Sequence, residues 1–158
     1  MAIYLNIPSV KGSATEKNHK DWIKCDSLQF GVGRAISSHV GGGANREASQ
    51  PSVSEITITK NLDSASIELF GWSVAKFDAK TIKIDLVSAG REDPFMQLEL
   101  TNAVISGYSL SAPGEGQPAE SISFNFTKIQ DKYTPVGADN KAGTPVIKSY
   151  DIATAKAG

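Results

Sequence analysis

The chain has 158 residues, a formal net charge of −1, 40% hydrophobic and 21% charged residues. That length suits one domain, 1-158, with a complete core of its own, and the balanced charge excludes bulk attraction to nucleic acid or an anionic membrane. Cys25 is the only cysteine, which excludes an internal disulfide, and its apolar setting reads as a buried, inert thiol.

The opening Met1-Ala2-Ile3-Tyr4-Leu5-Asn6-Ile7-Pro8 alternates apolar and polar residues. It lacks the basic start, apolar run and cleavage site of a leader, and is read as a strand. No run approaches the roughly 20 apolar residues of a membrane span. From Trp22 to Gly33, Ile23 and Cys25 share one phase, and Leu28 and Phe30 the other. A bulge near Asp26-Ser27 returns both pairs to the core. Ser37 to Ser54 follows, rich in Gly and Ser, longer than ordinary connections of about 4–6 residues. Such a loop is expected to be mobile or functional.

Ile56 and Ile58 alternate with Glu55, Thr57 and Thr59 as a further strand. Asp63 and Ser64 then cap a helix over Ala65–Val74, whose Ile67, Phe70 and Val74 lie three and four apart and are assigned to the core. Period two returns at Ile82-Ile84-Leu86, Met96-Leu98-Leu100 and Ile122-Phe124-Phe126, with a second shift of phase around Gly107. Half-buried strands rich in Ile and Thr fit an antiparallel sheet, and long strands that change phase suit a closed barrel. Ala112–Ser121 and Thr134–Pro145 are Pro/Gly-rich loops. The fold class is mainly β, an antiparallel β-barrel of two packed sheets with one flanking helix.

Residues with reactive side chains do not assemble into a catalytic pattern. His19 and His39 lie on separate polar segments without ligand spacing and are read as surface histidines, so no metal site is assigned. Glu92-Asp93 reads as a solvated turn. Gly31-Val32-Gly33-Arg34 and Gly41-Gly42-Gly43 lack the remainder of a nucleotide motif. Catalytic residues, cofactors and metals are therefore none, and the chain is not read as an enzyme.

Several segments together carry a family resemblance. They are Ile3-Tyr4-Leu5-Asn6-Ile7-Pro8-Ser9-Val10-Lys11-Gly12-Ser13, the charged connection Glu16–Asp21 around His19, and Leu28-Gln29-Phe30-Gly31. Ile56-Thr57-Ile58-Thr59-Lys60-Asn61-Leu62-Asp63 follows, then Ile122–Ile129 and Tyr133-Thr134-Pro135. In order and spacing the chain resembles the Hcp (haemolysin-coregulated protein) family of type VI secretion. Leu28 stands where that family often has an aromatic. The resemblance implies a secreted tube subunit: a homohexameric ring, rings stacked in a tube, with a spike protein, a sheath and small effector proteins as partners. It implies that the chain is cytoplasmic before firing and leaves the cell without a cleaved signal peptide. It further implies a ring-stacking loop that includes Ser38, His39, Gly41, Gly42, Gly43, Asn45 and Arg46. Gln29, between Leu28 and Phe30, points away from the core and is the candidate for a lumen-facing residue. A phage-like tail tube protein and a monomeric small-ligand-binding β-barrel are the alternatives.

Overall fold

The computed structural model describes residues 1–38 and 46–158. Its strands are β1 (Ala2–Asn6), β2 (Ile23–Cys25), β3 (Ser27–Gln29), β4 (Val32–Gly33), β5 (Ile36–Ser38), β6 (Arg46–Ala48), β7 (Ser52–Val53) and β8 (Ile56–Asn61). After the single described α-helix, α1 (Ser66–Val74), come β9 (Lys80–Val87), β10 (Pro94–Ser111), β11 (Ala119–Asn125), β12 (Lys128–Tyr133), β13 (Val146–Asp151) and β14 (Lys156–Ala157). The fold is mainly β and its ladders are antiparallel, as expected from alternation that gives each strand one buried and one open face.

β10, 18 residues long, is the spine. Its first half pairs with β9 and β12, and its second half with β11. One ladder therefore runs β2-β1-β9-β10-β12-β13-β14 and the other β10-β11-β8-β3. The register shifts between Leu100 and Ala103 and again between Ile105 and Gly107, where the phase of the sequence changes. Such irregularities bend a strand and let it serve two ladders. The inward faces share one core that includes Leu5, Ile23, Ile58, Ile84, Leu98, Leu100, Ile122 and Phe124.

The bend at Asp26 is also observed: β2 ends at Cys25 on β1, and β3 starts at Ser27 on β8. The closed barrel is not. β2 forms no ladder with β8, and only the Asp26 amide, donating to the Thr59 carbonyl at 2.7 Å, spans the change of partner. The reason is local: the bend that returns both apolar pairs to the core also turns β3 away from β1.

Gly12 shows how tightly the first turn is folded. A Cβ there would lie 2.3 Å from the Trp22 carbonyl oxygen, while the Gly12 amide donates to Asp21 at 2.8 Å. Only glycine permits that approach. The segment Ser37–Ser54, expected as one loop, contains the end of β5 with β6 and β7: β5 pairs with β6, and β7 pairs with β4, which precedes the segment.

Candidate functional site

The two ladders present outer faces of different chemistry. Across β3, β8, β11 and the second half of β10, one row reads Gln29, Thr57, Ser123, Gly107 and the next Ser27, Thr59, Ser121, Ser109. These rows carry hydroxyls, one amide and no charge. Ser27 and Thr59 are hydrogen bonded at 2.5 Å, and Thr57 and Ser123 at 3.1 Å. At the rim, Glu55 accepts from Ser106 at 2.7 Å. On the other ladder the rows read Tyr4, Asp85, Gln97, Lys132 and Asn6, Lys83, Glu99, Gln130. Charges of both signs alternate there, with Tyr4 and Asp85 covered by the segment that carries His19 and the rest open.

Beneath the uncharged face lies a buried ionic cluster. Lys60, fully enclosed, donates to Glu120 at 2.5 Å and to the Asn61 carbonyl at 2.8 Å, and it pairs with Asp63 at 2.8 Å. Ser66 donates to Glu120 at 2.9 Å, and Tyr108 donates to its other oxygen. Burial alone would raise the Glu120 carboxyl, but hydrogen bonds from Lys60, Tyr108 and Ser66 hold it below the ordinary carboxylate range. Burial, followed by the bond to Glu120, pushes the Tyr108 phenol up to about 12. Asp63 also accepts from the Ala65 amide at 2.9 Å, so it caps the turn ahead of α1, which begins at Ser66. The cluster thus joins β8, β11, β10 and the start of the helix.

His19 corrects the expectation of a surface histidine: it is buried. Its Nε2 lies 2.9 Å from Asp85 and its Nδ1 meets Glu16, so each ring nitrogen faces a carboxylate. The ring stacks on Tyr4, with centroids 4.5 Å apart, and meets the edge of Trp22 at 4.8 Å. The bond from His19 holds the Glu16 carboxyl below its ordinary value. Polar neighbours in the sequence concealed this residue, because its partners Tyr4 and Asp85 come from distant strands. Cys25 is buried as expected, and burial pushes its thiol up to about 12.

The helix overturns another expectation. Ile67, Phe70 and Val74, assigned to the core, are 78%, 50% and 68% exposed, and Phe77 beyond them is 83% exposed. Ala65 and Leu69 are buried instead, with Trp72 half-buried against Phe124 at 6.2 Å between ring centroids. Both stripes have helical spacing, so periodicity alone admitted either. Of the surface residues expected from sequence, Gln29 is exposed in the uncharged rows. Ser38 and Arg46 face each other as partners on β5 and β6, a ladder separate from that of Gln29. His39, Gly41, Gly42, Gly43 and Asn45 lie outside the described residues.

No helix among the described residues is long and apolar enough to cross a membrane, and no metal-ligating group of three side chains occurs among them.

Comparison with curated protein sequences finds no match. Among solved structures, one titled "Structure of a type six secretion system protein" superposes with a TM-score of 0.91 at 24% identity, covering 99% of each chain. Hcp1 from Salmonella typhimurium superposes at 0.80 with 19% identity, covering 99% of this chain and 98% of that one. A type VI secretion system effector from Yersinia pestis gives 0.74 at 21%, covering 94% and 98%. These likenesses establish the shared fold. The family model described as "Type VI secretion system effector, Hcp" matches residues 4–133, well over half of the sequence, and on that match the chain belongs to the Hcp family of type VI secretion proteins.

Proposed function

We propose that the chain is a subunit of the inner tube of a type VI secretion apparatus. Copies join as a hexameric ring, rings stack within a contractile sheath beneath a spike, and the tube leaves the cytoplasm without a cleaved leader. The whole chain acts as one domain. Family membership supports a tube and effector role. The observation that carries the finer reading is the uncharged outer face of β3, β8, β11 and β10. A lumen walled by such a face offers many weak donors and acceptors and no fixed charge, so a small effector can be held and still released.

Gln29 is the longest side chain in those rows and reaches furthest toward such a cargo. The arm formed by β5 and β6, with Ser38 opposite Arg46, is the candidate contact between stacked rings, together with His39, Gly41, Gly42, Gly43 and Asn45 between them.

The native mass, by light scattering after size exclusion, tests the assembly. About six subunits is the expected result, in keeping with closed cyclic symmetry; a monomer at high protein concentration removes the ring. Gln29→Arg tests the lumen. It is expected to lower retention of a co-expressed small effector while the ring mass stays unchanged, and undiminished retention sets Gln29 outside the cargo surface.

A further inference from the structure

Two surfaces of the described residues are largely apolar and uncovered. The first is the helix stripe of Ile67, Phe70, Val74 and Phe77. Four large apolar side chains exposed together along one helix face and just beyond it are the kind of surface that marks an interaction site. Beside Phe77, Lys76 is exposed and forms no ion pair among the described residues.

The second is a groove between β12, β13 and the end of β3, lined by Phe30, Ile129, Ser149 and Tyr150, with Asp131 and Lys148 also in its wall. The Oδ1 atom of Asp131 is shielded from solvent and accepts no hydrogen bond among the described residues. Burial raises its carboxyl accordingly. Lys148, its cross-strand neighbour, forms no ion pair with it. An acceptor enclosed in this way costs free energy until a donor reaches it.

We propose that these surfaces are the two halves of one contact between copies of this chain: the helix stripe of one subunit seats in the Phe30–Tyr150 groove of the next, and Lys76 answers Asp131. The proposal rests on the ring reading above and identifies the surfaces that close the ring. Three observations favour a second copy. Apolar surface meets apolar surface, and an unpaired cation meets an unpaired carboxylate. The halves are different patches, so the contact is head to tail, the kind that closes a ring when its rotation permits. Stripe-on-stripe pairing of two helices would bring no donor to Asp131. A sheath protein lying on the stripe would leave the groove equally unanswered.

The full-length double variant Val74→Cys with Lys148→Cys is the first test. Mild oxidation is expected to give a ladder of covalent multimers on a non-reducing gel, with none from either single variant; Cys25, buried, stays out of the reaction. Lys76→Glu is the second, an exposed change that spares the fold. It is expected to raise the concentration at which the ring half-dissociates at least ten-fold, the least that loss of an enclosed charge pair implies. Adding Asp131→Lys is expected to recover most of that loss. Where Asp131→Lys does not fold, Asp131→Asn is expected to weaken the ring in a background that already folds. An intact wild-type ring with no ladder and an unmoved Lys76→Glu midpoint overturns this contact and leaves the ring reading standing. Dimers from Val74→Cys alone overturn it in favour of helix pairing. A wild-type chain that stays monomeric at all concentrations overturns both.

Discussion

The two outer sheet faces are built on the same spine strand and reach opposite solutions to the placement of charge. On the ladder of β3, β8, β11 and the end of β10, the outer rows hold Ser, Thr, Gln and Gly, while the ions lie underneath as Lys60, Asp63 and Glu120. On the ladder of β1, β9, β12 and the start of β10, the ions stand outside, as Lys83 with Glu99 at 3.9 Å and Lys132. The exception is Asp85, buried together with His19, whose other ring nitrogen meets Glu16. Charge in solvent contributes little per pair and keeps a surface dispersed. Charge in the interior fixes which elements meet and exacts a heavy penalty when one partner is lost. The uncharged face thus presents no fixed charge to its surroundings, and the buried cluster holds its strands and the helix start in place.

The largest expected effect comes from breaking the buried side of this comparison. Lys60→Met leaves Glu120 and Asp63 facing an apolar group, and is expected to cost about 3–5 kcal/mol in urea unfolding. Lys60→Met combined with Glu120→Leu is expected to restore much of the loss, since no uncompensated ion then remains.

The pH dependence follows from the same cluster. The folded Glu120 carboxyl lies below its unfolded value, so its contribution is present above the ordinary carboxylate range near 4.5 and is lost as pH falls through the lowered value. Glu16 acts in the same direction through His19. Glu120→Gln is therefore expected to reduce stability at pH 7 and to flatten its fall below pH about 4.5, as read from thermal midpoints across the acid range.

His19→Phe keeps the stack on Tyr4 and removes both bonds to the carboxylates. A loss of about 1.5–3 kcal/mol is expected, the scale of a hydrogen bond to a charged group, measured by the same unfolding. The smallest effects belong to the outer faces themselves. Lys83→Glu and Ser123→Asp are each expected to change stability by no more than about 0.5 kcal/mol, as surface changes do. They differ in function: Ser123→Asp places a charge among the hydroxyls beside Gln29 and is expected to alter effector retention, whereas Lys83→Glu leaves it unchanged.

Much of this was legible in the chain. The period of two located β1, β8, β9, β10 and β11, because a strand with one buried face must alternate. The changes of phase near Asp26 and Gly107 located the bend and the register shift, because the core fixes which residues face inward. The strands β13 and β14 were not visible: Val146–Asp151 lies mostly in solvent and has no buried face to impose alternation. The closed barrel was an inference from long, bent strands, and pairing at β2 decided otherwise.

Local alternation and helical spacing were properties of the sequence itself, since neighbouring side chains are related by backbone geometry alone. Which side of α1 is buried, which histidine lies in the interior and which lysine is enclosed depended on groups 60 or more residues away, such as Glu120 for Lys60 and Asp85 for His19. The apolar residues of α1 occupy two stripes of equal spacing, so only the position of Phe124 and the buried cluster selected Leu69 for the core and left Phe70 outside. Tertiary structure made that choice because burial is a property of the surroundings a side chain meets, and periodicity reports only the direction in which it points.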